Sequence, residues 1–283
     1  MEKGCGILKG FSVTKTVTYL SLAILAVLFI FPFYWLLISA FQTQDQIFSI
    51  PPRLWPESWR FVNFLDVFQK TRIARAFLNS TVIAVGHCAL SLLLCAMGGY
   101  AFAKFPRAPG RDKLFAFTLG TMMIPGAITL IPSFIIMVRL HLINTYWSMI
   151  IPGAANAFGI FWMRQYIGGN VQDDLLDAAR VDGCSELGIF WVIVLPVIKP
   201  ALAALGILRL MVSWNNLMWA FIMLRTESMQ TMPLLVYLLQ GEIRTPYGML
   251  MAGCLLITLP LVVAFLLFQK HFVGGIAAGA VKG

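Results

Sequence analysis

Long apolar segments dominate this sequence and limit the architectures open to it. A helix needs about 20 consecutive apolar residues to cross the hydrocarbon core of a bilayer. Windows of that length lie near Val17–Ala40, Phe77–Ala103, Leu114–Val138, Tyr146–Met163, Pro200–Met223 and Tyr247–Phe268. In hydrocarbon only helices and closed barrels satisfy every backbone group, and the alternating segments of about ten residues that build a barrel are absent. The sequence therefore predicts an all-α integral membrane protein with six transmembrane helices.

The composition excludes several classes of function. Only 12% of the 283 residues are charged, against about 25% in soluble domains. The net charge of +9 fits basic residues that flank membrane spans, and no basic run is interleaved with exposed aromatics as in nucleic-acid-binding proteins. The cysteines and histidines lack ligand spacing, and no Gly-Lys dipeptide offers a phosphate-binding loop. We therefore expect no catalytic residue, metal or cofactor on this chain, no nucleic-acid partner, and no enzymatic activity.

The distribution of Lys and Arg predicts the orientation. If both termini are cytoplasmic, twelve basic residues face the cytoplasm and eight face outward, which leaves Arg209 inside the membrane. The loop KFPRAPGRDK, residues 104–113, carries much of this bias. The outward loop 41–76 is too rich in Pro and Trp for one regular element, and we expect an ordered cap at the membrane surface.

A compact polar segment separates the fourth and fifth apolar windows. Asp173 and Asp174 stand where acids favour a helix N-terminus. The pattern predicts a short helix over Leu175–Val181, which ends near Gly183, a residue suited to a left-handed turn. We therefore expect a bent connection between this helix and the element that follows it.

A second short helix is predicted after that turn. Ser185 is placed to cap it, and Pro196 and Pro200 are expected to terminate it before the fifth span. We call the two helices and their turn, residues 173–196, the hook. The side chains of Ala178–Ala179 are small, so the backbone of a partner protein can approach this side of the hook closely. Periodicity alone leaves an ordinary interfacial loop as the alternative.

The hook carries a recognisable motif. The pattern D-A-A-x-x-D-G-C…F-x-x-x-x-L-P, from Asp177 to Pro196, resembles the E-A-A-x-x-D-G-A…L-P coupling motif of ABC importer permeases. The resemblance extends over essentially the whole chain, and its matching segments are NS at 79–80, MMIP at 122–125, IPSF at 131–134, INT at 143–145, SWNN at 213–216 and the tail GGIAAGAVKG at 274–283. Together these segments are similar to the carbohydrate-uptake branch, and within it to maltose-permease-like subunits.

The resemblance implies a type I ABC importer permease fold with a cytoplasmic coupling-helix hook. It implies an N-terminal helix and first extracytoplasmic loop over 1–74, a permease domain over 75–269 and a cytoplasmic tail over 270–283. The residues that it assigns to ATPase coupling are Asp177, Ala178, Ala179, Asp182, Gly183, Leu195 and Pro196. Asp177 replaces the usual glutamate, and Cys184 replaces the usual alanine. Gln172 stands where a proline is common, and the lost proline makes the entry to the hook less rigid.

The resemblance also implies the partners and the location. ATP and Mg would bind to a separate ATPase dimer, and the other partners would be a second permease subunit and an extracytoplasmic sugar-binding protein. The chain would lie in the bacterial cytoplasmic membrane and import a sugar, an oligosaccharide or a sugar-like polyol.

Arg209 is the one basic residue predicted near the middle of the membrane. It lies ten residues past Lys199, about 15 Å along a helix, and an ionisable residue there is a functional candidate by default. Spacing places Arg209, Ser213 and Asn216 on one helical face, which we interpret as a substrate pathway. The alternative is that Arg209 pairs with an acid or a carbonyl group on the partner permease and fixes assembly.

Two other functional classes remain to be weighed. An ion-coupled secondary transporter would need acids inside the membrane, and the six windows contain no Asp or Glu. A structural or assembly membrane protein would not need an ATPase at the hook. Co-purification with an ATPase separates the importer permease from both.

Overall fold

The computed structural model describes residues 13–241 and 245–280, with side chains over 15–241 and 245–266. All regular elements in these ranges are helical. The predicted cytoplasmic N-terminus, residues 1–12, and the last three residues of the glycine-rich tail lie outside the described ranges. The chain divides into two compact units, residues 1–67 with 241–256 and residues 68–240 with 257–283.

The first unit contains the N-terminal helix and the loop that follows it. Its helices are α1 (Val13–Ser39), α2 (Gln44–Ile47), the start of α3 (Val62–Lys70) and the start of α15 (Tyr247–Ala280). The Asn63 amide donates to the carbonyl oxygens of Ala40 and Gln42 at 2.9 and 3.0 Å. The ring of Phe41 packs against Trp59 and Phe64, with centroids 4.9 and 5.0 Å apart. The loop is thus ordered and built from separate short elements, as predicted.

The second unit contains most of the remaining helices. They are α4 (Ile73–Lys104), α5 (Arg111–Gly120), α6 (Gly126–Arg139), α7 (Trp147–Ile150), α8 (Ala157–Asn170), α9 (Asp173–Val181), α10 (Glu186–Ile189), α11 (Leu195–Val197), α12 (Lys199–Trp214), α13 (Leu217–Met223) and α14 (Met232–Leu238). Helix α4 is central, because α7, α8, α12 and α14 all pack against it. A wide π turn, Phe190–Val194, joins α10 to α11.

Helices α4 and α8 cross at a glycine. A Cβ atom on Gly99 would lie 2.5 Å from the Met163 Cβ and 2.8 Å from the backbone nitrogen of Arg164. Around this crossing lies a buried cluster that includes Cys95, Met163 and Ile167, and it continues into Leu176 of α9 and Phe190 of the π turn. The hook is therefore part of the core that surrounds α4.

Within the described ranges, three helices are long and apolar enough to cross a bilayer: Lys15–Ser39, Ile73–Lys104 and Tyr247–Leu266. Two bent pairs, α5 with α6 at 105° and the 186–197 run with α12 at 81°, would raise the number to five within the described ranges. The first, second and sixth predicted windows thus correspond to continuous helices.

The other three predicted windows are wrong as continuous helices. The third bends at Pro125, which cannot donate a backbone hydrogen bond. The fourth is non-helical over residues 151–156, where Pro152 is followed by Gly153 at a φ of +72°. The fifth ends at Trp214, and the Asn216 side chain caps a new helix by accepting from the Trp219 backbone N–H. Proline, a left-handed glycine and an asparagine cap therefore interrupt the apolar runs.

Candidate functional site

The hook has the predicted helix–turn–helix form. Helix α9 begins at Asp173 and ends at Val181, and Gly183 adopts a φ of +83°. The Ser185 hydroxyl then accepts a hydrogen bond from the Gly188 backbone N–H at 3.2 Å, which caps α10. A Cβ atom on Gly183 would meet no atom within 4 Å, so the glycine is required by the backbone angle and not by crowding.

The end of the hook differs from the prediction. Pro196 lies inside the last turn of the helical run, which continues to Val197, and the break before α12 falls at Ile198. The π turn that precedes Pro196 widens the helix where the proline ring would clash with an α-helical turn. Pro200 lies in the first turn of α12, where a missing N–H costs no hydrogen bond.

The first hook helix has one buried and one exposed side. Leu176 and Ala179 are buried, whereas Leu175, Ala178 and Val181 are exposed. The Val181 side chain is 89% exposed, which is unusual for a residue of its type. The exposed side thus combines the small or apolar side chains of Ala178 and Val181 with the carboxylates of Asp174 and Asp177, and its small residues allow close contact with another protein.

Charged groups tie the two hook helices together. The Arg180 Nε donates to a Glu186 oxygen at 2.7 Å, and its Nη1 donates to the Asp177 carboxylate at 2.6 Å. The Glu186 carboxylate, and then that of Asp177, raises the pKa of Arg180 above its ordinary value. Arg180 therefore remains charged and bridges α9 to α10 across the turn.

The hook is also bonded to α4. The Tyr100 hydroxyl donates to Glu186 at 2.7 Å. One turn further along α4, the Lys104 ammonium donates to the Val171 carbonyl oxygen at 2.7 Å and to Asp173 at 2.6 Å. The Lys104 side chain is only 5% exposed, so this ion pair is shielded on one side.

The predicted coupling residues occupy different environments within the hook. Those exposed to solvent are Asp177, Ala178, Asp182, Gly183 and Pro196, whereas Ala179 is buried and Leu195 is half-buried. The sequence analysis did not identify the four side chains that hold the hook by hydrogen bonds, which are Tyr100, Lys104, Arg180 and Glu186. Arg180 and Glu186 lie inside the motif, six residues apart, but the α4 residues give no local signal because their partners are distant in sequence.

Arg209 binds groups in its own chain. One guanidinium nitrogen lies 2.8 Å from His87 Nε2 and 3.0 Å from the Gly153 carbonyl oxygen. His87 Nδ1 lies 2.9 Å from the Ile150 carbonyl oxygen, which can only accept. The proton is therefore on Nδ1, and Nε2 accepts from Arg209.

Three side chains from three helices thus fix the break in the fourth apolar window. They are Arg209 of α12 and His87 of α4, together with Trp219 of α13, whose indole N–H donates to the Ser148 carbonyl oxygen at 2.8 Å. Non-helical backbone at membrane depth is tolerated where it is buried in protein or lines a cavity. These contacts pair the carbonyl oxygens of Ser148, Ile150 and Gly153, which lie in or beside the break.

A cavity of about 460 Å³ lies where the three interrupted windows meet. Its lining residues are Gly126, Ala127, Thr129, Leu130, Ser133, Pro152, Gly153, Asn216, Met218 and Trp219. Of the predicted pathway residues, only Asn216 belongs to this lining, while Arg209 supports it through Gly153. Ser213 is buried, and the shared helical face ends before Asn216 because α12 stops at Trp214.

Comparison with known proteins decides the family. Residues 4–277 match the family described as binding-protein-dependent transport system inner membrane component. This chain belongs to that family. The match covers both the hook and the cavity, and it places the protein in a membrane.

Named relatives of this permease cover nearly its whole length. The arabinooligosaccharides transport system permease protein AraQ of Bacillus subtilis (strain 168) is 36% identical over 276 residues, which is 96% of this chain and 98% of AraQ. The lactose transport system permease protein LacG of Rhizobium radiobacter is 36% identical over 266 residues, covering 94% and 96%. The all-helical fold is similar to a crystal structure of a bacterial ABC transporter involved in the import of the acidic polysaccharide alginate. That comparison gives a TM-score of 0.80 and 26% identity over 92% of this chain and 96% of that chain.

Proposed function

We propose that this chain is the permease subunit of an ATP-driven, binding-protein-dependent importer of a sugar or an oligosaccharide. The names of its relatives support a carbohydrate substrate, since those proteins serve arabinooligosaccharide and lactose transport. The observation that carries the proposal is the hook, which exposes Ala178 and Val181 and is hydrogen-bonded to the central helix α4. A permease that only passed solute would not need such a device.

The hook docks in a cleft on a separate ATPase subunit. The exposed side of α9, with Ala178 and Val181, allows the close approach that a rigid joint needs, and Gly183 sets the angle between the hook helices. ATP and Mg bind to the ATPase dimer, whose closure moves the hook. Asp177 contributes charge at this joint, where the family motif usually has a glutamate.

Membership of the family supports the remaining partners and the topology that we propose. A second permease subunit completes the pathway, and an extracytoplasmic binding protein delivers the sugar. The chain crosses the bacterial cytoplasmic membrane six times if each bent pair and the interrupted fourth window cross it, with both termini and the hook in the cytoplasm. Within it, residues 1–74 form the N-terminal helix and outer loop, 75–269 the permease domain and 270–283 a tail.

The cavity between the interrupted helices is part of the substrate pathway. Asn216 and Ser133 offer hydrogen-bonding groups for sugar hydroxyls, and Trp219 offers an aromatic ring beside them. Arg209 acts indirectly, because its guanidinium holds the Gly153 carbonyl and the wall of the cavity. This assignment favours a pathway role for the Arg209 region over pairing with the partner permease.

Reconstitution tests the proposed function. The chain is co-expressed with its genomic neighbours and purified in detergent, and bound ATPase is detected. The complex is then placed in proteoliposomes, and uptake of labelled arabino-oligosaccharides, lactose and a polyol is measured with ATP and with a non-hydrolysable analogue. We expect the ATPase to co-purify and uptake to require hydrolysis. Uptake driven by an ion gradient without ATP would refute the proposal.

A further inference from the structure

Two side chains of α4, one helical turn apart, form hydrogen bonds with the hook. Tyr100 binds Glu186 of α10, and Lys104 binds Asp173 of α9 and the adjacent Val171 carbonyl. Residues at i and i+4 lie on the same side of a helix, so the two contacts hold both hook helices against one side of α4. A rotation of the hook relative to α4 would have to break both contacts.

The opposite end of α4 forms hydrogen bonds with a second segment, residues 228–232. The Asn79 amide donates to the carbonyl oxygens of Ser228 and Gln230 at 2.9 and 2.8 Å. The Ser80 hydroxyl accepts from the Met232 backbone N–H at 2.8 Å. Asn79 is fully buried, and its own oxygen accepts from Tyr146 at 2.7 Å. Residues 228–232 are therefore held by buried side chains of α4.

Between these two sets of hydrogen bonds, α4 is a continuous helix. It runs for 32 residues without a proline, whereas the third, fourth and fifth apolar windows are each interrupted. Asn79 and Tyr100 are 21 positions apart, which corresponds to about 32 Å along a helix. An uninterrupted helix that is hydrogen-bonded at both ends moves as one body.

We propose that α4 is the rigid link that carries movement of the hook to segment 228–232 at the other end of the protein. Tyr100 and Lys104 are the positioning residues at the hook, and Asn79 and Ser80 are those at the far segment. The inference rests on the proposed function, because it assumes that the hook is moved by an ATPase. It adds the path along which that movement travels.

Tyr100→Phe is the sharpest test. Tyr100 is buried, so the substitution removes one hydroxyl without removing any surface that an ATPase can touch. Tyr166→Phe is the matched control, because it removes a hydroxyl from the same cluster at a position not bonded to the hook. Sugar uptake and ATP hydrolysis are measured together in proteoliposomes, with the labelled oligosaccharide that gives the largest uptake by the unmodified complex.

The informative quantity is uptake per ATP hydrolysed. A folding defect lowers uptake and hydrolysis together, whereas a broken link lowers uptake alone. A hydrogen bond to a charged group is worth enough that its loss should reduce uptake per ATP by about tenfold in Tyr100→Phe. Ser80→Ala, at the far end, should give the same phenotype, and Tyr166→Phe should leave the ratio unchanged.

The outcomes separate the link from the function. If Tyr100→Phe fails to assemble, Lys104→Met is measured in the same way, since the Lys104 side chain is only 5% exposed and forms the other contact between α4 and the hook. Ratios within twofold of the unmodified complex in both the hook-end and far-end variants would overturn the link while leaving the importer intact. Absence of ATP-dependent uptake in the unmodified complex would instead count against the proposed function.

Discussion

Gly183 allows the backbone geometry of the hook to be tested separately from its packing. Its φ is +83°, and no atom lies within 4 Å of the position that a Cβ atom would occupy. A side chain here therefore creates no clash within the chain. An alanine in the left-handed region costs about 1–2 kcal/mol, and a β-branched residue is a stronger outlier, whereas Asn adopts this region far more readily.

These values predict an order for a set of variants. A penalty of 1–2 kcal/mol corresponds to roughly a 5- to 30-fold loss of the correctly bent hook. Uptake per ATP should therefore fall in the order Gly183→Asn, Gly183→Ala, Gly183→Val, with Asn closest to the unmodified protein. The assay is reconstituted transport and hydrolysis, with the amount of bound ATPase measured in each preparation.

The order of the variants decides the interpretation. If Gly183→Asn is as defective as Gly183→Val, and the loss follows side-chain volume, then contact with a partner limits this position and the backbone argument is wrong. Unchanged coupling in Gly183→Val would show that the bend of the hook is not needed.

Two further predictions concern the interior. Gly99→Ala should prevent normal accumulation of the protein, because its Cβ would lie 2.5 Å from a side-chain atom and 2.8 Å from the backbone of α8. Gly120→Ala, whose Cβ would lie in open space, should accumulate normally. Immunoblots of membranes measure both variants, and normal levels of Gly99→Ala would refute the close crossing. Arg209→Met should assemble with the second permease yet lose most uptake, because the buried His87 ring loses its donor, at about 1–3 kcal/mol, and the Gly153 carbonyl loses its hydrogen bond. Arg209→Lys should recover part of the uptake. Loss of assembly on pull-down would favour the alternative in which Arg209 joins the subunits.

The sequence predicted the local form of the hook well. Short-range rules were sufficient for the end of α9, the left-handed Gly183 and the Ser185 cap, because each depends on residues within one helical turn, although α9 begins at Asp173 and not at Leu175. The helical class followed equally directly from apolar length. These features need no knowledge of distant contacts.

The interruptions of the apolar windows were harder to predict. Hydropathy does not distinguish a continuous helix from one broken at Pro125 or at Asn216, since the flanking residues remain apolar. The break near Gly153 is stabilised by Arg209, His87 and Trp219, which come from distant parts of the sequence. The break near Gly153 depends on tertiary hydrogen bonds, so a pattern read along the chain cannot locate it.

The same reason explains the missed residues of the candidate site. Tyr100 and Lys104 lie in an apolar helix and become recognisable only when Glu186 and Asp173 are placed beside them. Ser213 and Asn216 looked equivalent by spacing, but only Asn216 reaches the cavity because α12 ends between them.

The docking of the hook on an ATPase can be measured directly through Cys184. This thiol is exposed and directly follows Gly183 in the turn. A photo-crosslinker attached to Cys184 in the purified complex, trapped with ATP and vanadate, should link this chain to the ATP-binding subunit, and Cys184→Ala should abolish the product. Crosslinks that reach only lipid or the second permease, in a vanadate-trapped complex that hydrolyses ATP before vanadate is added, would contradict the account.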